Sequence, residues 1–204
     1  MLIEQLSQEW FEARLGKVTA SRVSDVLATI KSGEAASRKN YKLQLVTERL
    51  TNKKTDSYTN QAMQDGIDRE PMAREIYEKL KEVKVEEIGF VQHPEIKMAG
   101  ASPDGLVGDD GIIEIKCPIE TTHTTNLLER KLPSKYKPQV QFQLATTGRK
   151  WCDFISYNPN FEPRLQLIVI RVERDDEYIE MLEFEITNFL NEVEEMINQL
   201  QGIK

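Results

Sequence analysis

Cysteine, histidine and long apolar runs are scarce in this 204-residue sequence. Two cysteines, Cys117 and Cys152, cannot supply a disulfide framework, so a reducing, cytoplasmic setting is expected. Together with His93 and His123 they make neither a zinc finger nor a four-thiolate iron–sulfur cluster. No apolar run approaches the ~18–20 residues that a membrane span needs, and the first residues lack the pattern of a signal peptide. We therefore expect a globular protein that does not enter a membrane, with both histidines on its surface.

Acidic residues outnumber basic ones, and the net charge of −7 taken alone disfavours a nucleic-acid partner. The charges are unevenly distributed, however. Residues 31–60 contain seven basic and three acidic side chains, and residues 129–150 contain six basic and one acidic. Residues 171–204 contain ten acids and three bases. Each charged segment is either a solvated helix face or a contact surface for a partner, and composition leaves both open.

The length and the absence of repeats or linkers favour a single domain over residues 1–204. Its expected parts are a helical portion over about 1–83, a sheet core over about 86–172 and a C-terminal helix over about 175–200. Periodicity and capping residues, with Ser7 and Thr19 as N-caps, predict helices at 7–15, 19–29, 39–50, 60–80, 133–147 and 175–200. Pro71 is expected to kink or interrupt the fourth helix. Strands are predicted at 88–92, 98–101, 112–116, 152–157 and 165–172. This order indicates an α/β (α+β) fold with a mixed sheet flanked by helices.

Two short segments carry the residues best suited to catalysis, Ser-Pro-Asp-Gly at 102–105 and Ile-Ile-Glu-Ile-Lys at 112–116. Side chains alternate along a strand, so Glu114 and Lys116 should share one face while Ile113 and Ile115 share the other. A hairpin between the segments would return Glu114 beside Asp104. Either segment alone is typical of an ordinary turn or half-buried strand, but their joint occurrence is more selective.

Two carboxylates and an ammonium suit phosphodiester hydrolysis. Mg²⁺ prefers oxygen ligands, commonly one or two carboxylates with water and substrate oxygens. Asp104 and Glu114 are the expected metal ligands, with the Ile115 backbone carbonyl completing the shell. Lys116 could orient the attacking water or neutralise developing charge. Cys117, the next residue, is expected to be a small buried packing residue and not a nucleophile.

Proline-aspartate followed by Glu-x-Lys resembles the PD-(D/E)xK nuclease signature. More narrowly, several blocks resemble the family of lambda exonuclease and the YqaJ-type phage recombination exonucleases. The blocks occur in family order and span most of the chain: WFEARLGKVTAS at 10–21, GIDRE at 66–70, ASPDGL at 101–106, IEIKCP at 113–118 and QVQ at 139–141.

The resemblance implies roles for matching positions. Asp104 and Glu114 match metal ligands, Lys116 matches the catalytic lysine, and Glu70 matches an acid that supports the metal site. A terminal-phosphate pocket is implied at Arg14, Ser21, Ser102 and Gln139, where guanidinium, hydroxyl and amide donors suit a phosphate. Lys31 matches a basic residue that touches the duplex, and Met63 an apolar wedge at the end base pair. One further family acid falls at Pro94 here, next to Glu95.

The resemblance also implies a restriction-endonuclease-like PD-(D/E)xK core and an Mg²⁺-dependent 5′-to-3′ double-strand DNA exonuclease, with one or two ions per site and Mn²⁺ as a substitute. Such an enzyme releases mononucleotides and leaves a 3′ overhang for recombination by strand annealing. It further implies a homotrimeric ring around DNA, a single-strand annealing protein as partner, and a phage or prophage protein in a bacterial cytoplasm. The acidic C-terminal helix is a candidate docking surface. Alternatives are an endonuclease or repair nuclease of the same fold, a non-catalytic DNA-end-binding module, or a structural domain.

Overall fold

A computed structural model describes residues 5–55 and 61–203, with the backbone alone at residues 61–63. The helices are α1 (Gln8–Arg14), α2 (Val23–Val26), α3 (Ala36–Thr51), α4 (Gln61–Lys81), α5 (Glu120–Glu129), α6 (Lys137–Thr147) and α7 (Asp176–Gln201). The strands are β1 (Val18–Thr19), β2 (Val85–Glu86), β3 (Val91–Gln92), β4 (Ala99–Ala101), β5 (Gly105–Val107), β6 (Gly111–Lys116), β7 (Trp151–Tyr157) and β8 (Leu167–Glu173). Short 3-10 turns precede α2, α6 and β8.

The strands form two sheets. The larger has five strands in the order β2-β5-β6-β7-β8, and only the β6–β7 pair in it is parallel. The smaller has the order β1-β4-β3, with β1 parallel to β4 and β3 antiparallel. The prediction of a mixed sheet flanked by helices is therefore confirmed. The strand expected at 88–92 is shorter than predicted, since only β3 (Val91–Gln92) lies within that range; β2 (Val85–Glu86) was not predicted and belongs to the other sheet.

Strand β6 lies in the middle of the larger sheet and is covered on both faces. Ile113 and Ile115 pack on one side with Ala73 and Tyr77 of α4. Ile112, on the other side, packs with the apolar residues of α6. A third cluster lies beneath α7, whose buried positions recur at helical spacing: Ile179, Leu182, Ile186, Phe189, Val193 and Ile197. The two covered faces hold β6 rigidly.

The structure confirms only part of what the sequence predicts for the N-terminal helices. Ser7 caps α1, because its hydroxyl accepts from the Trp10 N–H at 3.2 Å. The expected cap at Thr19 is wrong. Thr19 ends β1, pairs with Gly100 and donates its N–H to the Tyr41 hydroxyl, so 20–29 forms only a 3-10 turn and the short α2. Helix α4 runs through Pro71 without interruption.

The expectation that both histidines are exposed is also wrong. His93 is stacked on Phe142, with Nε2 3.1 Å from the Glu183 carboxylate. His123 lies in α5, a helix that the sequence did not predict, between the Ser156 hydroxyl and the Leu165 carbonyl, each at 2.8 Å. Cys117 is half-buried, not buried as expected, and packs against the cluster that contains Ile113 and Ile115. This burial raises the pKa of its thiol to about 11. Across the described ranges, no helix has the length and apolarity to cross a membrane.

Candidate active site

The β5–β6 hairpin brings Asp104 against the middle of β6. The Asp104 N–H donates to the Ile113 carbonyl at 3.1 Å, and Asp104 Oδ2 accepts from the Ile115 N–H at 2.6 Å. These bonds lie on either side of Glu114 along the strand. The Asp104 carboxylate is therefore fixed beside the peptide that joins Glu114 to Ile115.

Glu114 and Lys116 share a face of β6, as alternation predicted. The Lys116 ammonium forms an ion pair with Glu114 Oε1. Two amides from α6 complete the surroundings of this carboxylate: Gln139 Nε2 donates to Oε1 at 2.5 Å and Gln143 Nε2 donates to Oε2 at 2.6 Å. Glu114 is only 1% exposed, and three donors surround its buried carboxyl group.

Negative charge exceeds positive charge among these groups. Burial, then the charges of Glu114 and Glu70, raise the pKa of Asp104 well above its usual range. Burial alone lowers the pKa of Lys116, but the Glu114 and Asp104 carboxylates outweigh it and raise this pKa. Burial also raises the pKa of Glu70, against the opposing charge of Arg74. Three mutually repelling carboxylates, those of Asp104, Glu114 and Glu70, are thus offset by the Lys116 ammonium and, on the side of Glu70, by the Arg74 guanidinium.

The donor set fits a hard divalent cation. Mg²⁺ is commonly bound by one or two carboxylates, with water and substrate oxygens filling the shell. Asp104 and Glu114 provide two carboxylates beside the Ile115 backbone. Within residues 5–55 and 61–203, no three His, Cys, Asp or Glu side chains converge as a ligand cluster. A cation here would therefore depend on two carboxylates together with backbone and solvent oxygens, and it would offset the excess negative charge.

Glu70 approaches the site from α4 but is held by another partner. Its carboxylate accepts from Arg74 at 2.8 Å, and Arg74 also contacts Glu87 at 2.9 Å. The position where the family has another acid lies in the β3–β4 connection. There the Glu95 N–H donates to His93 Nδ1 at 3.3 Å, next to Pro94.

A second polar group surrounds Ser102, two residues before Asp104. The Ser102 hydroxyl receives hydrogen bonds from Arg14 Nη1 at 3.1 Å and from the Trp10 indole N–H at 2.9 Å. The Arg14 guanidinium also lies over the Trp10 ring, 3.9 Å from its centroid. Burial lowers the pKa of Arg14 to about 10. No carboxylate of the described chain lies within ion-pair distance of it, so this cation is poised for an external anion.

Ser21 and Gln139 lie on neighbouring elements but do not join Arg14 directly. Strands β1 and β4 are parallel, so Ser21 and Ser102, which follow them in the chain, lie at the same end of the smaller sheet. Helix α6 packs against the 3-10 turn that contains Ser21. The exposed Ser21 hydroxyl lies 3.4 Å from that of Thr19, whereas Gln139 contacts Glu114. Where side chains are described, no hydrogen bond connects Ser21 or Gln139 to Arg14.

Lys31 and Met63 are the two residues expected to contact the duplex, and the structure describes the side chain of Lys31 alone. Lys31 is exposed in the connection between α2 and α3. The backbone of Met63 belongs to α4, but its side chain lies outside the described residues.

Three side chains at the site were not singled out from the sequence. Trp10 could have been found from the sequence, because it is the first residue of the family block at 10–21 that also contains Arg14. Gln143 follows Gln139 by four residues and therefore shares its helix face. Nothing in the sequence pointed to Tyr136. Its ring lies 5.6 Å from the Lys116 ammonium and 4.8 Å from that of Lys135.

Comparisons with known proteins agree with this architecture. The family described as YqaJ-like viral recombinase domain matches residues 9–150. The alkaline exonuclease LHK-Exo from Laribacter hongkongensis is 47% identical over 96% of each chain, with a TM-score of 0.88. LHK-Exo in complex with dAMP aligns over the same shares with a TM-score of 0.90. A phage related exonuclease from Haemophilus somnus 129PT, 14% identical over 90% of this chain and 96% of its own, has a TM-score of 0.75 and shows a likeness of fold. No curated protein matches the chain.

Proposed function

Because the chain belongs to the family of YqaJ-like viral recombinase domains, we propose that it is an Mg²⁺-dependent 5′-to-3′ exonuclease acting on double-stranded DNA. It releases mononucleotides and leaves a 3′ single-stranded overhang for phage-type recombination by strand annealing. Residues 1–204 act as a single nuclease domain of the PD-(D/E)xK type. A relative that is an alkaline exonuclease and has been seen with dAMP supports both the reaction and its product class.

The observation that carries the proposal is the grouping of Asp104, Glu114 and Lys116 around one point of β6. Asp104 Oδ2 accepts from the Ile115 N–H at 2.6 Å, and Lys116 forms an ion pair with the buried Glu114. A structural ion pair would not need a second carboxylate whose charge is unfavourable there. The excess negative charge supports a cation site instead.

The chain's own groups have distinct parts in this reaction. Asp104, Glu114 and the Ile115 carbonyl would hold one or two Mg²⁺ ions, or Mn²⁺ as a substitute. When bound, the metal acidifies a water and stabilises charge on the scissile phosphate. Lys116 orients the attacking water and neutralises charge on the phosphate oxygens. Glu70, the fourth catalytic residue, would support the metal site and Lys116 from α4.

Recognition of the DNA end is assigned to the group around Ser102. Arg14 and Ser102 would hold a 5′-terminal phosphate, with Ser21 adding a hydroxyl and Gln139 an amide. The Arg14 guanidinium pairs with no carboxylate of the described residues, which supports this role, since charge-assisted bonds to phosphate are among the strongest available to it. Lys31 would contact the duplex backbone, and Met63 would part the terminal base pair.

The proposed assembly is a homotrimeric ring that encloses the duplex, with a single-strand annealing protein as its partner. A ring reconciles the net charge of −7 with DNA binding, because only the inner surface must attract phosphate. The acidic α7 is the candidate docking surface for the annealing protein. Sedimentation equilibrium of the free protein should give three times the mass of the chain, and a monomer would contradict the ring.

The function is tested by nucleotide release from matched DNA substrates. Blunt linear duplexes with and without a 5′ phosphate, and a covalently closed circle, are incubated with the protein in Mg²⁺ or in EDTA. We expect mononucleotides from the linear duplexes in Mg²⁺ alone, faster with the phosphate, and an intact circle. Cutting of the circle would favour an endonuclease of the same fold. Duplex binding without nucleotide release would favour a DNA-end-binding module.

A further inference from the structure

Gln143 contacts the proposed catalytic carboxylate from the protein interior. Its amide Nε2 donates to Glu114 Oε2 at 2.6 Å, whereas Gln139 and Lys116 both contact Oε1. Gln143 is 1% exposed, but Gln139 is half-buried and the Lys116 side chain is 30% exposed. The two oxygens of Glu114 therefore face different surroundings, with Oε2 on the closed side and Oε1 on the side with access to solvent.

The position of Gln143 is set by the helix and not by the side chain itself. Val140 and Leu144 of α6 belong to the apolar cluster that covers Ile112 and Phe154, which fixes the helix against the sheet. Gln139 and Gln143, four residues apart, then present their amides to the same side of α6. Both amides point at Glu114 because the helix is anchored by its apolar neighbours.

Stability does not explain a glutamine at this position. Gln143 Oε1 is buried and, within the part of the chain that the structure describes, has no hydrogen-bond partner. An unpaired buried acceptor destabilises a fold, and native proteins contain few of them. The amide gains only the bond from its N–H to Glu114. Such an arrangement is expected where the orientation of the Glu114 carboxylate matters more than the stability of the fold.

We propose that Gln143 is a positioning residue that holds Oε2 of Glu114 and leaves Oε1 as the oxygen that a divalent cation can share. The inference rests on the proposed function, because it assigns to Glu114 a metal ion that this function requires. Gln143 does not touch substrate or metal. It fixes the carboxylate plane, so that Oε1 stays beside Lys116 and near Asp104.

Another glutamine of α6 provides a matched control. Gln141 is equally buried, but its amide donates to the Glu173 carbonyl at 2.8 Å and accepts from the Asp175 N–H at 2.9 Å. It therefore anchors the start of α7 and makes no contact with Glu114. Methionine replaces either glutamine with a side chain of similar size and no hydrogen-bonding amide.

The test is Mn²⁺ binding to the full-length protein without DNA, followed by the electron paramagnetic resonance signal of free Mn²⁺. Gln143→Met should weaken binding by about 10- to 100-fold, the usual effect of losing an outer partner of a metal ligand. The variant leaves the buried Glu114 Oε2 without its donor but also removes an unpaired buried oxygen, so its melting temperature should fall less than that of Gln141→Met, which loses two hydrogen bonds. Gln141→Met should bind Mn²⁺ like the wild type but melt at a lower temperature.

The outcomes separate the two proposals. Wild-type Mn²⁺ affinity in folded Gln143→Met would overturn the positioning role and leave the proposed function intact. If that variant fails to fold, Gln143→Asn takes its place: its shorter amide cannot reach Oε2, so undiminished affinity would again overturn the role. A wild-type protein that neither binds Mn²⁺ nor releases nucleotides would overturn the proposed function itself.

Discussion

Within residues 5–55 and 61–203, Arg14 pairs with no carboxylate, whereas Glu114 is surrounded by donors. Arg14 donates to Ser102 and lies over Trp10, and burial lowers its pKa to about 10. A cation that is partly desolvated and not paired binds an anion more strongly than one that is exposed. In the proposed reaction the two side chains would have separate roles: Arg14 would attract the end of the substrate, and Glu114 with its neighbours would act on the phosphodiester linkage.

Substituting Arg14 should remove the preference for phosphorylated ends. A hydrogen bond to a charged group is worth about 1.5–3 kcal/mol, so Arg14→Ala should slow hydrolysis of 5′-phosphorylated duplex by about 10- to 100-fold. Ends with a 5′ hydroxyl should be affected little. Arg22→Ala is the control, because Arg22 also lies over an aromatic ring, that of Tyr41, but is paired with Asp25. An Arg14→Ala variant that still distinguishes the two ends would refute the pocket.

The β5–β6 hairpin depends on the close approach of its neighbours to two glycines. A Cβ on Gly111 would lie 2.1 Å from the Trp151 ring, and one on Gly105 would lie 2.2 Å from a methyl of Val85. The Trp151 ring is itself held under Arg171, 3.6 Å away. These contacts support the register that pairs Gly105 with Ile113 and lets Asp104 bond to the backbone of Ile113 and Ile115, so the hairpin cannot shift without moving the site.

Alanine at two glycines should change stability in opposite directions. Gly111→Ala forces Trp151 to move and should lower the free energy of unfolding by about 1–3 kcal/mol, the usual cost of overpacking. Gly66→Ala, in α4 with nothing within 4 Å of the added methyl, should raise it by about 0.5–1 kcal/mol. Urea unfolding measures both. A neutral Gly111→Ala would show that the hairpin is not tightly packed there.

Elements whose residues alternate or recur periodically were predictable, and elements set by distant partners were not. Strand β6 and helix α7 carry their burial pattern in the sequence, which placed Glu114 and Lys116 on one face. Helix α5, rich in β-branched threonine, has weak helix propensity and is anchored by His123 and Asn126 on Ser156. The contact between Arg14 and Ser102 spans 88 positions, so only the family resemblance could suggest it.

The acidic C-terminal helix is tied to the basic N-terminal half by a shared ion-pair cluster. Glu192 of α7 accepts from Arg38 of α3 at 2.7 and 2.8 Å and also pairs with Lys42, which contacts Glu34 at 2.7 Å. Part of the negative charge of α7 thus neutralises α3 within the molecule. Glu183 contacts His93 and Glu194 pairs with Arg49, whereas Asp176, Glu177, Glu180 and Glu195 are exposed. In the proposed ring these exposed acids would lie away from the DNA.

Because of this ion-pair cluster, the free energy of unfolding should depend on pH in the acidic range. Hydrogen bonds from Arg38 lower the pKa of Glu192 from 4.5 to about 2. A carboxyl whose folded pKa is depressed stabilises the fold above its unfolded pKa and loses that contribution as pH falls toward the folded value. Glu192→Gln should therefore have a lower free energy of unfolding than wild type at neutral pH. This difference between the two proteins should shrink as the pH falls from 4.5 to about 2. Urea midpoints across this range measure it; a constant difference would contradict the assignment.

The most direct test of the nuclease centre is single-turnover release of the first nucleotide from 5′-phosphorylated duplex in Mg²⁺, comparing wild type with Lys116→Ala and Lys84→Ala. Lys84 is 94% exposed and pairs with Glu78, so its loss should leave the rate unchanged. Loss of the Lys116 ammonium should slow the reaction by at least about 100-fold, as for other groups that stabilise charge in a transition state. Equal rates for Lys116→Ala and wild type would contradict a catalytic centre built from Asp104, Glu114 and Lys116.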